Sequence, residues 1–318
     1  MKAIIETENL TKLYGGRAAV SSLNMHVQQG DIYGFIGRNG SGKSTTLKML
    51  CGLASPTQGS IRIFGKPVSD EGTRKRIGAL VETPGLEPGR SAYENMYLKA
   101  LLMGIVEPEK QIQELLALTG LKNSKKAVKH YSMGMKQRLG IAMALLGGPD
   151  LLILDEPING LDPEGMNEIR RLLQDLNQKK GVTILVSSHI LGELSKMATR
   201  YGIIKDGCLV QEISSRELSA LCKDYLYLKV DNSQMAAAVL EEKLHIENYE
   251  VRPQGEIRIY GKADTGLLTS TLSGSGIGVQ SVYAHQQDLE EYFVRLMGTE
   301  HQVQDFEKKH GKGGRRHA

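Results

Sequence analysis

The sequence predicts an α/β protein: a sheet of buried strands alternating with helices, preceded by an antiparallel β edge, interrupted by a helical insertion and followed by a small α+β domain. Three observations carry this. The apolar run Ile32-Tyr33-Gly34-Phe35-Ile36 passes through a glycine-rich loop into a helical pattern, so a strand, a loop and a helix follow one another. Leu151-Leu152-Ile153-Leu154 and Val182 to Val186 are continuous apolar runs, as in strands buried on both faces, and a helical stretch separates them. Beyond Ser215 the composition shifts and the pattern becomes β-α-β-β-α-β.

From Ala3 to Gly30 short alternating segments (Ile4 to Leu10, then Val20, Leu23, Met25 and Val27) are punctuated by Tyr14-Gly15-Gly16 and Gln29-Gly30-Asp31, which predicts an antiparallel edge. Tyr14 is the one aromatic residue of the first turn, and two readings stand open: a platform for a planar ring, or an ordinary turn tyrosine.

The loop itself, Gly37-Arg38-Asn39-Gly40-Ser41-Gly42-Lys43-Ser44 with Thr45 after it, matches G-x-x-x-x-G-K-[ST] between a strand and a helix. Glycines at 37, 40 and 42 let the backbone fold back with its N–H groups inward, making an anion nest at a helix N-terminus whose dipole also favours phosphate. Lys43 adds a point charge for the outer phosphates. Ser44 offers a hydroxyl to Mg²⁺, which takes its other oxygens from water, phosphate and a carboxylate.

After the loop helix, Gly59 to Gly65 reads as a short strand and Ile77 to Glu82 as another that ends in a carboxylate. Ser91-Ala92-Tyr93-Glu94 is a capping box, and helical periodicity runs from Tyr93 to Met103 and from Lys110 to Leu118, so about 91–146 is expected to form a helical subdomain. Ser132 is a good N-cap for the apolar helix Leu139 to Leu146, with Gly134 leaving its start open to a close neighbour. Asp155-Glu156 close the buried strand. Asn159 to Pro163 then turn the chain into a helix over Glu164 to Gln178, and the next strand ends at Ser187-Ser188-His189.

The 318 residues allow a large core and more than one domain; the expected divisions are 1–218, 219–299 and a basic tail, 300–318. A net charge of +4 does not argue for nucleic acid. Cys51, Cys208 and Cys222 lack Cys-x-x-Cys spacing, so neither a disulfide framework nor a zinc site is indicated and a reducing cytoplasm fits best. Met1 to Glu6 carry no secretory apolar core, and no run approaches the roughly 18 apolar residues of a membrane span.

Taken in order, these motifs resemble the ATP-binding subunit of an ABC transporter, and within that family the group handling bacitracin-like and lantibiotic peptides; the resemblance covers about Ala3 to Leu218. It implies ATP and Mg²⁺ as ligands. It implies adenine stacking on Tyr14, a Mg²⁺ carboxylate at Asp155 and a general base at Glu156, the two adjacent acids pointing to opposite faces of a strand end. His189 corresponds to the switch histidine that senses the γ-phosphate, and Asp162 to the loop that meets the partner subunit. Ser132 to Gln137 stand at the family's signature, where Ser132 and Gly134 face the nucleotide held by a second copy or a homologous subunit. The family further implies a separately encoded membrane permease, a place at the cytoplasmic face of the membrane and no nucleic-acid partner. Tyr131, Met133 and Met135 depart from the signature, and Glu82 stands where most of the family has glutamine, a carboxylate still able to reach Mg²⁺. A soluble relative acting on ribosomes or nucleic acid would ordinarily carry two ATPase units or a long coiled-coil insertion. A P-loop kinase or GTPase would leave Ser132 to Gln137 and His189 without a role.

The last part reads as strand Tyr225 to Val230, helix Gln234 to Leu244, strands Asn248 to Val251 and Glu256 to Tyr260, helix Thr265 to Leu272, strand Gly278 to Tyr283 and helix Asp288 to Met297. This order suggests a ferredoxin-like domain without a catalytic cluster. The tail from Lys308, with Lys309, Lys312, Arg315 and Arg316 among glycines, is expected to be disordered.

Overall fold

A computed structural model describes residues 2–121, 125–221, 225–261, 263–285, 292, 293 and 296. The chain divides into two compact units between Ser215 and Arg216, a few residues before the division expected from composition.

The first unit opens with β1 (Ala3–Tyr14), β2 (Arg17–Leu23) and β3 (His26–Gln28). Gly15 and Gly16, both at positive φ, make the tight turn that returns β1 antiparallel on β2. Next come β4 (Ile32–Ile36), α1 (Lys43–Leu50), β5 (Gln58–Ile63), β6 (Lys66–Pro67), α2 (Glu71–Lys75) and β7 (Ile77–Leu80). The edge sheet has the order β2-β1-β5-β6 with β3 also on β1. The side of α1 bearing Leu47, Met49 and Leu50 is fully buried in a core shared with β1, β2, β4, β5 and β8 residues, each such side chain being worth about 1.5–3 kcal/mol of burial. That burial fixes the direction of the loop ahead of α1.

The helical stretch contains α3 (Ala92–Leu102), α4 (Glu109–Leu118) and α5 (Met133–Ala144). The capping box at α3 is complete: Ser91 Oγ accepts from Glu94 N, and the Glu94 carboxylate accepts from Ser91 N at 2.7 Å. α5 starts directly after its N-cap Ser132, as the capping residue predicts, six residues ahead of the apolar run 139–146. Then follow β8 (Leu151–Asp155), α6 (Pro163–Lys180), β9 (Thr183–Ser188), α7 (Leu191–Leu194), β10 (Arg200–Lys205) and β11 (Cys208–Ser214), and the division between the units falls at the start of α8 (Ser215–Leu221). α6 has a complete set of signals: Asp162 as N-cap, Pro163 at the first turn, Ile169, Leu172, Leu173 and Leu176 buried along one face, and Gly181 at φ 67 closing the end. The central sheet runs β11-β10-β4-β9-β8-β7, parallel except for the β10–β11 hairpin. Cys51 caps the end of α1, and burial pushes its thiol up to about 12, which leaves it inert; Cys208 is exposed, and Cys222 lies outside the described residues.

The second unit contains β12 (Tyr225–Val230), α9 (Ser233–Glu242), β13 (Tyr249–Arg252), β14 (Glu256–Tyr260), α10 (Thr265–Gly274) and β15 (Val279–His285). Its sheet order β13-β14-β12-β15, antiparallel throughout, puts β14 between the two strands joined by α9, which is the split β-α-β arrangement of ferredoxin-like folds. Leu226, Leu228, Ile257 and Ile259 pack with Ala236, Leu240, Leu268 and Leu272 to form its own core. Tyr225, Tyr227, Tyr260 and Arg258 alternate with those core residues along the strands; Tyr227 stacks on Tyr283 with ring centres 4.7 Å apart. Apart from Tyr292, Phe293 and Leu296, the helix expected over Asp288 to Met297 lies outside the described residues, as does the basic tail from Lys308.

Candidate active site

Four neighbouring parallel strands end side by side. The pairings Leu80 with Leu154, Asp155 with Ser187 and Ile36 with Ser188 align the carboxyl ends of β7, β8, β9 and β4. Everything the sequence marks as phosphate, metal or base chemistry therefore emerges along one edge, where ligands bind in open α/β sheets.

The loop 37–44 is a cradle packed from behind. A Cβ on Gly37 would lie 2.4 Å from Ser41 Oγ and 2.6 Å from the Ile204 carbonyl, and Gly42, at φ 106, would put one 2.5 Å from the Ala19 carbonyl. The turn between β10 and β11 fastens the loop through Gly207 N, which donates to Ser41 O at 3.0 Å. Arg38, Asn39 and Gly40 are exposed at the rim, while Gly37, Ser41 and Lys43 are buried and Ser44 and Thr45 half-buried. Lys43 Nζ donates to Gly37 O at 2.7 Å and Arg38 O at 3.2 Å, so its charge is held within the loop's curve. Two observations fit a polyanion here. Among the described residues Ser41 Oγ is buried without a hydrogen-bond partner, and α1 has neither a side-chain cap nor an acid in its first turn, which leaves its N–H groups to an outside acceptor.

Asp155 is the last residue of β8 and buried; Glu156 leaves the strand at φ 50. The two acids therefore diverge by a turn of the backbone and not by the pleat of a strand, as their adjacency would imply. Ser187, at the matching position of β9, joins them: its hydroxyl donates to Asp155 Oδ1 at 2.5 Å and accepts from Glu156 N at 3.0 Å. Glu156 Oε2 lies 2.8 Å from His189 Nδ1, and Oε1 lies 3.5 Å from Lys43 Nζ. Gln137 of α5 reaches the Glu156 carbonyl at 3.5 Å. Glu156, His189 and Lys43 are thus brought together from three segments. Ser187 was visible in the sequence only as part of a strand end; nothing in its neighbours distinguished it from Ser188.

The other marked residues lie apart from that cluster. Ser132, Gly134 and Asp162 line one open groove with Arg138 and Glu168, which pair across it, and the lining includes none of the residues 37–45. Asp162 is occupied as the cap of α6, accepting from Gly165 N at 3.0 Å. Tyr14 is 53% exposed with Lys12 Nζ 5.1 Å from its ring centre. Glu82 lies two residues beyond the end of β7, at φ 66, and its Oε1 is 2.5 Å from Lys48 Nζ. No group of three or more His, Cys, Asp or Glu side chains able to hold a metal exists among the described residues. The candidate donors, Ser44, Asp155 and Glu82, are all hard oxygens, a set that suits Mg²⁺ completed by phosphate and water.

A phosphate cradle at a helix N-terminus, with a lysine inside it and a carboxylate and histidine in contact at the ends of adjacent strands, defines a nucleotide-hydrolysing P-loop enzyme. Comparison with known proteins narrows the class. The sequence pattern described as "ABC transporter" matches residues 20–159. The bacitracin transport ATP-binding protein BcrA of Bacillus licheniformis is 44% identical over 302 residues, 94% of this chain and 98% of that protein. The protein of the same name from Enterococcus faecalis is 40% identical over 302 residues, 94% of this chain and 97% of its own. The lantibiotic transport ATP-binding protein SrtF of Streptococcus pyogenes is 44% identical over 210 residues, 66% of this chain and 90% of its own. Among solved structures, the cassette MJ0796, a dimer in a post-hydrolysis state with ADP and Pi, superposes with a TM-score of 0.61 at 27% identity, covering 67% of this chain and 99% of its own. The chain belongs to the ATP-binding proteins of ABC transporters, and it is an ATPase subunit of that family.

Proposed function

We propose that the chain hydrolyses Mg²⁺-bound ATP as one half of a pair, at the cytoplasmic face of the membrane beneath a separately encoded permease, and that the cycle drives export of a peptide antibiotic or a similar amphiphile. The observation that carries the chemistry is the Glu156 carboxylate set between Lys43 and His189. In this reading the N–H groups of 37–45 and the Lys43 ammonium hold the phosphates. Glu156 accepts the proton of the water that attacks the γ-phosphate, and His189 fixes the orientation of that carboxylate. Ser44, Asp155 and Glu82 are the residues that would hold the metal, and Mg²⁺ supplies charge neutralisation to the phosphates when bound. Tyr14 gives the adenine a face to stack on. Ser132, Gly134 and Asp162, grouped in one groove away from the loop, suit contact with a nucleotide and subunit across a dimer, the open start of α5 offering its dipole to phosphate.

The cargo rests on relatives: two of the near full-length matches are bacitracin transport proteins. The direct test is affinity purification of tagged Glu156→Gln protein from detergent-solubilised native cells with ATP present, followed by mass spectrometry. A co-purified polytopic membrane protein supports the transporter arrangement and names the chain that selects the cargo. Recovery of ribosomes or DNA-bound proteins alone would overturn it.

A further inference from the structure

Outside the residues given a part above, one ion pair borders the same site. Lys48, on the last turn of α1, meets Glu82, on the segment that leads from β7 towards α3, at 2.5 Å. Glu82 holds a positive φ of 66, a conformation that side-chain-bearing residues adopt uncommonly, so its place is imposed by its surroundings. Part of that imposition is packing: Leu80 and Pro84 lie so close to Gly140 of α5 that a Cβ there would sit 3.0 Å from each. The Glu82 side chain in turn meets the ammonium of Lys48.

The contact is a direct ion pair, Nζ to Oε1, between the last turn of α1 and the segment after β7. The helix that begins at the phosphate cradle therefore carries a second cation on its last turn, paired with Glu82. Lysine suits a contact that must break, since it is a single point charge on a flexible stem, whereas arginine would grip a carboxylate with two donors.

We propose that Lys48 is the positioning residue of Glu82: its ammonium holds the carboxylate at the end of β7, and a divalent cation arriving with nucleotide must compete with Lys48 for it. This rests on Glu82 acting as a cation ligand, as proposed above. A neutral side chain at position 82 would need no such counter-charge, whereas a carboxylate does. Because the pair is largely open to solvent, the competition amounts to a few-fold change in affinity and not a block.

The test uses the purified full chain as wild type, Lys48→Met, Lys48→Arg, Glu82→Gln and the double variant Lys48→Met/Glu82→Gln. The readout is the Mg²⁺ concentration that gives half-maximal binding of a fluorescent ATP analogue at equilibrium, with the same midpoint taken from hydrolysis. Lys48→Met is expected to lower the midpoint about 2- to 5-fold, with Lys48→Arg near wild type, Glu82→Gln raising it and the double variant matching Glu82→Gln alone. An unchanged midpoint in Lys48→Met, or an equal shift when position 82 is already Gln, overturns the proposal while Glu82 stays a cation ligand. If Glu82→Gln itself leaves the midpoint unmoved, the ligand reading of Glu82 fails and the role of Lys48 falls with it.

Discussion

His189 Nδ1 lies 2.8 Å from Glu156 Oε2, and the two residues come from the ends of adjacent strands, 33 positions apart in the chain. The parallel pairing of β8 with β9 makes this contact, since Asp155 is level with Ser187 and each side chain in question follows just beyond. Lys43 approaches the other carboxylate oxygen at 3.5 Å, so this carboxylate is held from both sides.

Glu156→Gln keeps the shape and removes the basicity. Steady-state ATP hydrolysis should fall by about 10²–10⁴, the usual range for losing a general base, while equilibrium binding of a fluorescent ATP analogue persists. Near-wild-type turnover would remove Glu156 from the role.

Lys43→Ala removes the cation inside the cradle. Charge-assisted contacts are worth about 1.5–3 kcal/mol, so nucleotide affinity should fall about tenfold or more, read by titration with the same analogue. The side chain is buried in the loop's curve, so the loss cannot be made up by neighbouring solvent-exposed Arg38.

Ser187→Ala breaks both contacts that tie Asp155 to the Glu156 backbone. A buried carboxylate oxygen and an N–H lose their partner at about 1–3 kcal/mol, and kcat should drop by about tenfold with analogue binding little altered. Unchanged kcat would show that the hydroxyl does not hold the acids in register.

Ser91→Ala should cost about 1 kcal/mol of stability, read as the shift of the urea midpoint, because α3 loses its N-cap. The same variant carries a pH signature. Glu94 is held below the ordinary carboxylate value, first by the bond from Ser91 N–H and then by the Ser91 hydroxyl. A carboxylate depressed in the folded state stabilises at pH above its unfolded pKa and loses that contribution as pH falls through its folded one. The difference between wild type and Ser91→Ala should therefore narrow on acidification below the ordinary glutamate range; a gap independent of pH would show that the Ser91 hydroxyl does not hold the Glu94 carboxylate.

Gly78→Ala tests the seating of β7 on α5. The added Cβ would lie 2.1 Å from the Ala144 carbonyl, a backbone atom at the end of α5 that cannot swing aside. Overpacking of this kind costs about 1–3 kcal/mol, again read from the urea midpoint.

Much of this molecule is legible from the chain alone because the deciding interactions are local. The loop 37–44, the capping box at Ser91, the caps of α5 and α6 and the buried runs of β4, β8 and β9 are each set by residues within a few positions of one another, where backbone freedom, capping and strand or helix period act directly. The same locality also misled. The adjacency of Asp155 and Glu156 implied a strand pleat where the backbone turns. What only the tertiary structure decided is what parallel pairing and packing bring together from far along the chain: Ser187 between the two acids, His189 on Glu156, Lys48 on Glu82 and the β10–β11 turn fastened to Ser41. These depend on which strand lies beside which and on register. That choice is made by burial of whole faces, to which no single stretch of sequence contributes more than one side.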